Sequence, residues 1–273
     1  MTNVQTETAV IRTATARRRP RIRHALLALI GFASLCLVWQ IGGTITNSPA
    51  SVPFTEAVRN AIDIVLGPNL IDDVLPSVFR VIVGFVGAAV FGLVAGLIIG
   101  SMPRLLPWVT PLIEFGRAVP PPLLLPIVLL IFGIGEQLVI TVIVIAAFWP
   151  VLISTIDGIR RVDPTMLAAA ESIHLSRAAR AFLVRLPAAL PSIMSGLRVA
   201  LGFSLIMMVV AEMLGAANGI GYLVMYSQQT FNVPETFGAV LLLAVLGLGF
   251  DATFVAIERR ALAWHPTFHD HLD

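Results

Sequence analysis

The side chains that could do covalent chemistry are few in this sequence, and none has the spacing of an enzyme site. The five histidines belong to no H-E-x-x-H motif, and no G-x-S-x-G motif occurs. Cys36 is the only cysteine, so it can form neither an internal disulfide nor a thiolate metal cluster. All 18 basic residues are arginine, whereas a Walker A phosphate loop requires a lysine. The sequence therefore predicts no catalytic site, no metal site and no ATP site of this kind.

Charged residues inside apolar segments are the stronger candidates for function. Asp251 lies within an apolar segment near the C-terminus, and an acid at such a depth usually faces a partner or water. Arg198, in the preceding apolar segment, is its predicted partner, and we favour an ion pair that holds the two segments together over a direct functional role. Glu212 ends the same segment as Arg198 and precedes a glycine-rich loop. It is predicted either to form part of an external mouth or gate or to be an ordinary interfacial carboxylate.

The apolar segments that hold these charges are typical of a membrane protein. The chain has 273 residues, of which 57% are hydrophobic and 12% charged, whereas soluble domains have about 25% charged residues. The net charge of +2 does not indicate a nucleic-acid partner. We therefore predict an all-α, polytopic membrane helical bundle of about six transmembrane helices. The predicted spans are 25–43, 78–100, 111–132, 137–157, 188–211 and 236–257.

The distribution of arginine predicts the orientation of these spans. Cytoplasmic segments carry an excess of basic residues, and with both termini in the cytoplasm the external segments hold only Arg59. Arg80, at the outer edge of span two, is a mild exception. The basic cluster before span one is expected to anchor its orientation, with contact to lipid headgroups as the alternative. The predicted organisation is a basic tail at 1–24, a permease domain at 25–260 (core 78–260, polar loop 158–187) and a tail at 261–273.

Glycines and prolines mark two of the spans. Gly92, Gly96 and Gly100 are spaced four apart, which lets helix backbones approach closely; packing within the chain is favoured over a dimer face. Span three contains Pro120, Pro121 and Pro122, which break a helix. The break predicts either a helix that lines a solute pathway or a purely structural kink.

The longest polar, helix-like stretch is 163–191, between spans four and five. Asp163 followed by Pro164 predicts a helix start, because Asp caps free amides and Pro suits the first helical position. Ser176 is expected to cap a second helix, which Pro187 closes. The result is a water-facing helix–turn–helix, here called the elbow (163–187). Without further information it is either a docking element or an amphipathic interfacial segment with no partner.

The elbow resembles the cytoplasmic EAA loop of ABC-transporter permeases of the binding-protein-dependent importer class. That family's pattern is Glu-Ala-Ala, three residues, Gly and, after twelve more, the Pro of a Leu-Pro pair. Ala169, Ala170 and the pair Leu186-Pro187 match the pattern. Ala168 stands at the Glu position and His174 at the Gly position. Glu171, three residues after Ala168, is expected to supply the missing charge.

The resemblance extends over about residues 50–264, to the nitrate/sulfonate/taurine branch. It implies a permease subunit without covalent chemistry, in a bacterial plasma membrane, whose loop docks on separate ATPase subunits that bind ATP and Mg. It also implies a second permease copy, as a homodimer, and an extracytoplasmic protein that delivers a small anion such as nitrate, a sulfonate or taurine, with a heterocyclic vitamin precursor as the alternative. The segments that carry it are Pro120-Pro121-Pro122, 132–136 (FGIGE), 196–202 (GLRVALG), 211–215 (AEMLG) and 219–223 (GIGYL).

An ion-coupled secondary transporter, which needs no ATPase, is the alternative. Such a protein requires embedded coupling carboxylates and shows a weak internal repeat. Asp251 is the one acid that the sequence clearly embeds, and no inverted repeat is evident.

Overall fold

The computed structural model describes residues 21–46, 48 and 50–264, and every regular element in that part of the chain is helical. Most of the two predicted tails, 1–20 and 265–273, lies outside the described residues. The helices are α1 (Arg21–Ile45), α2 (Phe54–Leu66), α3 (Leu75–Ser101), α4 (Leu106–Ala118), α5 (Leu125–Phe132), α6 (Glu136–Arg160), α7 (Pro164–Ser172), α8 (Arg177–Arg180), α9 (Leu186–Gly215), α10 (Ile220–Gln229) and α11 (Val233–Ala261). Short π-helical turns precede α3 (Leu70–Val74) and α9 (Ala181–Arg185).

The chain divides into two compact units, Met1–Thr55 and Glu56–Asp273. In the first, the segment after α1 folds back on that helix. Trp39 meets the ring of Phe54 edge to face at 5.3 Å and donates a hydrogen bond to the carbonyl of Val52. The second unit holds the helical bundle and all the candidate site residues.

By length and composition, the described residues hold four or five helices that could cross a membrane, where about six were predicted. Four helices are long and apolar enough to cross a membrane, and a bent pair, Leu106–Ala118 with Pro121–Phe132, makes a fifth if it counts as one span. The part of α1 that counts as an apolar helix, Leu29–Ile45, where span one was predicted, is shorter than these. The four long helices are Leu70–Ser101, Glu136–Arg160, Ala178–Gly215 and Val233–Ala261.

The predicted third span is a broken helix and not a continuous one. α4 ends at Ala118, Pro120 has an extended backbone, and a 3₁₀ turn at Pro121–Leu124 leads into α5. The two helices are bent by 87°. Prolines remove backbone donors and disfavour a helical backbone in the residue before them; Val119 and Pro120, which precede prolines, are both extended, so a straight helix cannot form here.

α3, α6 and α9 form the centre of the bundle. α3 presents its glycines to α6: a Cβ added at Gly84 would lie 2.5 Å from Ile143, and one at Gly96 would lie 2.5 Å from Thr155. Gly100 likewise lies against Ile159. Close approach of this kind stabilises helix pairs where lipid offers no hydrophobic driving force. The glycine row therefore packs within the chain, as predicted, and is not free to form a dimer face.

Candidate functional site

The elbow begins where the sequence predicted a helix start. The side chain of Asp163 accepts a hydrogen bond from the backbone N–H of Thr165 at 2.8 Å, and Pro164 occupies the first turn of α7. Because this bond stabilises the ionised carboxylate, the pKa of Asp163 lies below its usual value. The cap satisfies one of the free amides at the helix start.

The turn of the elbow is built around His174, which has a left-handed backbone with φ of 56°. Its N–H donates to the carbonyl of Glu171, and the N–H of Leu175 donates to that of Ala170 at 3.1 Å. Such a left-handed helix ending normally has glycine at the position of His174. The turn therefore forms with histidine at the family's Gly position, but the backbone of His174 is strained.

The second arm of the elbow is continuous with span five. Ser176 accepts a hydrogen bond from the N–H of Ala179 at 3.2 Å, which is the predicted cap. The helix then passes through the π-helical turn, where Leu186 donates to the carbonyl of Ala181. Pro187 was predicted to close this helix, but it lies within it, near the start of α9. A proline is tolerated there because the wider turn before it rearranges the hydrogen bonds of the preceding residues.

Most of the signature positions of the elbow are exposed. Ala168 and Ala169 face outward, whereas Ala170 is buried. The carboxylate of Glu171 pairs across the turn with Arg180 at 2.8 Å and remains 70% exposed. Its charge is therefore engaged within the elbow and braces the two arms. Exposed apolar side chains complete the surface: Met166, Ile173, Phe182 and Leu183.

The predicted ion pair between spans five and six is present. Arg198 on α9 donates through Nε and Nη2 to the two carboxylate oxygens of Asp251 on α11, at 3.1 and 3.2 Å. Both side chains are about half exposed. A bidentate contact of this kind fixes the two helices at one register. A role of the pair in the solute pathway stays a prediction.

Glu212 lies in a sealed polar cluster and not at an exposed surface. Its carboxylate is fully buried and accepts from Arg80 at 2.8 Å and from the backbone N–H of Gly221 at 2.9 Å. The hydroxyl of Ser77 lies 2.9 Å from both carboxylate oxygens. We name Asp73, Ser77, Arg80, Glu212 and Gly219–Gly221 the Glu212 cluster. It joins the start of α3, the end of α9 and the start of α10.

The cluster also caps α10. The first amides of that helix, at Gly219, Ile220 and Gly221, donate to Asp73, Ser77 and Glu212 respectively. Gly219 has φ of 116°, and a Cβ there would lie 2.5 Å from the carboxyl carbon of Glu212. Glycine is therefore required for the loop to enclose the carboxylate.

Sequence reasoning missed the partner of Glu212. Arg80 was treated only as an exception to the charge rule, although an arginine inside an apolar span needs a buried partner. That requirement was the signal available in the sequence. Of the remaining predicted residues, Pro120, Pro121 and Pro122 form the break between α4 and α5, and the structure does not bring them together with Glu212, Arg198 or Asp251 in one site.

These arrangements hold helices together; the described residues do not form the geometry of a covalent reaction. A family model described as the binding-protein-dependent transport system inner membrane component matches residues 88–262. The taurine transport system permease protein TauC of Escherichia coli (strain K12) is 31% identical over 255 residues, covering 91% of this chain and 93% of that protein.

Two further comparisons agree. The putative aliphatic sulfonates transport permease protein SsuC of Bacillus subtilis (strain 168) is 31% identical over 238 residues, covering 86% of each chain. A solved structure of the MetNI methionine ABC transporter in an inward-facing conformation has the same fold, with a TM-score of 0.59 and 20% identity over 69% of this chain and 94% of that one. The chain therefore belongs to the family of binding-protein-dependent transport system inner membrane components, as a multi-pass ABC-transporter permease and not an enzyme.

Proposed function

We propose that this chain is the pathway-forming subunit of an ATP-driven importer, coupled through the elbow to a separate ATPase that binds ATP and Mg. Two copies form the pathway in a bacterial plasma membrane, with both termini of each chain in the cytoplasm. An extracytoplasmic protein delivers the solute. The rearrangement that moves the solute is an alternation of helix packing driven from the elbow.

The exposed apolar surface of the elbow is the observation that carries this proposal. Ile173 is 71% exposed and lies between the spans Glu136–Arg160 and Ala178–Gly215, whereas Phe182, 59% exposed, and Leu183, 68% exposed, lie in the first turns of the second of these helices. Exposed apolar patches rimmed by polar residues mark protein or membrane contacts, and the predicted cytoplasmic position of the elbow favours a protein. The Asp163 cap, the His174 turn and the Glu171–Arg180 pair hold the elbow in one shape, so the surface is presented ready for a partner.

A small anion is the proposed solute. The two sulfur-compound permeases named above, for taurine and for aliphatic sulfonates, are 31% identical to this chain over most of its length. Nitrate, sulfonates and taurine share a compact anionic group, and binding of such a group rests on the delivering protein and the assembled pathway. Uptake of labelled taurine, sulfonates and nitrate by the reconstituted assembly tests the proposal of a small anionic solute; uptake of none of them would contradict it.

Co-purification with the ATPase tests the coupling role. Phe182→Ser is expected to reduce the amount of ATPase recovered with the membrane-extracted chain, because an apolar contact is lost. Phe231→Ser is the matched control: it removes an exposed phenylalanine from a loop that the predicted topology places on the opposite side of the membrane. Equal ATPase recovery from Phe182→Ser and the unchanged chain would overturn the proposed docking surface.

Uptake into vesicles separates this function from an ion-coupled transporter. The two carboxylates that the sequence singled out, Asp251 and Glu212, are both paired with arginines, which weakens their candidacy as coupling sites. Solute uptake that requires ATP and the ATPase is the expected result. Uptake by this chain alone, driven by an ion gradient, would favour the alternative.

A further inference from the structure

A cleft of about 170 Å³ separates the broken-span helix α4 from the end of α6. Its apolar wall includes Ile113 and Ile156, and four charged side chains line the rest. Those four, Glu114, Arg117, Asp157 and Arg160, are here called the cleft charges. All four are exposed. Each helix therefore presents one acid followed three residues later by one base.

The two helices run antiparallel across this cleft. Gly116 lies against Trp149, whereas Ile113, earlier on α4, packs with Leu152 and Ile156, later on α6. Leu106 and Arg160 line the far end of the same cleft. Position along α4 therefore rises as position along α6 falls.

Antiparallel packing makes the cleft charges complementary. When two acid-x-x-base pairs run in opposite directions along one cleft, the acid of each helix is matched in order with the base of the other: Arg117 with Asp157 and Glu114 with Arg160. Helical side chains lean toward the start of their own helix. Across an antiparallel pair these leans are opposite, and each acid approaches the opposing base.

In the structure, the two complementary cross-helix ion pairs are not formed. Arg117 is paired with Glu114 on its own helix. Within residues 21–46, 48 and 50–264, the side chains of Asp157 and Arg160 have no ionic or hydrogen-bonding partner. α4 is joined to α5 only through the bend at Pro120–Pro122, which gives it a pivot.

We propose that α4 closes onto α6 during transport and exchanges the Glu114–Arg117 pair for two cross-helix pairs, Arg117–Asp157 and Glu114–Arg160. The inference rests on the proposed function and deepens it. Arg160 is three residues from Asp163, where the elbow begins. Closure therefore links the position of the elbow directly to the broken span, and ATP binding to the partner ATPase drives it.

Disulfide formation across the cleft tests the exchange. Thr110 and Ile153 line the cleft without charge, and Cys36 is the only native cysteine. The chain with Cys36→Ala, Thr110→Cys and Ile153→Cys is assembled with its ATPase and oxidised with or without a non-hydrolysable ATP analogue. The disulfide is expected to form faster with the analogue. Asp157→Asn in this background is expected to slow that formation about threefold, the usual effect of one exposed charge pair.

Exchanging the charges provides the decisive control. Arg117→Asp together with Asp157→Arg restores a cross-helix pair and is expected to recover most of the rate. Arg104→Gln, an exposed arginine outside the cleft, is expected to leave the rate unchanged. If the rate of disulfide formation changed neither with the ATP analogue nor with the cleft charges, the proposed exchange of ion pairs would be overturned. If the unchanged chain failed to recruit the ATPase, the proposed function would fall and the exchange with it, whereas recruitment of the ATPase without charge dependence of the disulfide would overturn the exchange alone.

Discussion

At the scale of single residues, the two positions with a left-handed backbone stand out among the described non-glycine residues: His174 and Phe231, with φ of 56° and 57°. Both end short helices in the same type of turn. Asn232 donates to the carbonyl of Ser227, just as Leu175 donates to that of Ala170. Glycine is the usual residue at such a position. The family pattern pointed to His174, but no sequence signal pointed to Phe231.

His174→Gly is expected to stabilise the elbow by about 1 kcal/mol, because a residue with a Cβ is strained in the left-handed region. Hydrogen exchange at the amides of His174 and Leu175, which form the turn bonds, measures the change. His174→Ala, which keeps a Cβ, serves as the control and is expected to give no gain. Faster exchange in His174→Gly than in the unchanged chain would contradict the strain.

The Asp163 cap is expected to weaken at acidic pH. The pKa of its carboxyl is lowered in the folded chain by the bond from Thr165, so the cap contributes stability above the ordinary aspartate pKa of about 4 and loses it as pH falls through the lower folded value. The protection of the Thr165 amide, taken relative to its intrinsic exchange rate at each pH, should fall in that window. Asp163→Asn can still accept the bond and does not titrate, so it should show no such loss of protection. If the unchanged chain and Asp163→Asn gave the same pH profile, the carboxyl of Asp163 would not be the cause of the loss.

At the scale of elements, the sequence placed the elbow and the glycine row correctly because both follow local rules. A cap, a turn residue and a four-residue spacing each act within one or two helical turns. The 87° bend and the π-helical turn before Pro187 were not predicted. Proline indicates that a helix is disturbed, but the direction and the size of the disturbance depend on the neighbours against which the segments pack.

Gly96→Ala is expected to destabilise the contact between α3 and α6. The added methyl would lie 2.5 Å from Thr155, and overpacking of this kind costs about 1–3 kcal/mol. Thermal unfolding of the purified chain in detergent measures the loss. Gly249→Ala on α11, where nothing lies within 4 Å of the added Cβ, is the matched control. Similar melting temperatures for the two variants would argue against tight packing at Gly96.

At the scale of the whole molecule, the Glu212 cluster connects parts of the chain that are more than 130 residues apart in sequence, such as Arg80 and Glu212. No local pattern can reveal such a pairing. The Arg198–Asp251 pair was predictable because each residue was the obvious partner for the other in adjacent spans. For Glu212, the glycine-rich loop that follows it in sequence suggested a role at an external mouth, and this local context did not reveal the pairing with Arg80.

Glu212→Ala is expected to be strongly destabilising, by about 3–5 kcal/mol, because it leaves the buried guanidinium of Arg80 without its countercharge. Combining it with Arg80→Met is expected to cost less than the sum of the two single changes, since the unpaired charge is then removed. Unfolding measurements on the four variants of this cycle give the coupling between the residues. If the losses of unfolding free energy from the two single changes simply added in the double variant, Arg80 and Glu212 would not stabilise each other.

Span five is one helix from Ala178, inside the elbow, to Gly215, three residues beyond Glu212. Its 38 residues make a rod roughly 57 Å long at 1.5 Å per residue. A rod of that length gives mechanical advantage: a tilt of about 5° around one end moves the other sideways by about 5 Å. The Glu212 cluster holds the end of this helix near Gly215 to α3 and α10, and the π-helical turn at Ala181–Arg185 lies near its other end. If an ATPase moves the elbow as proposed, a displacement of about the width of a side chain there therefore tilts the whole span about the Glu212 cluster.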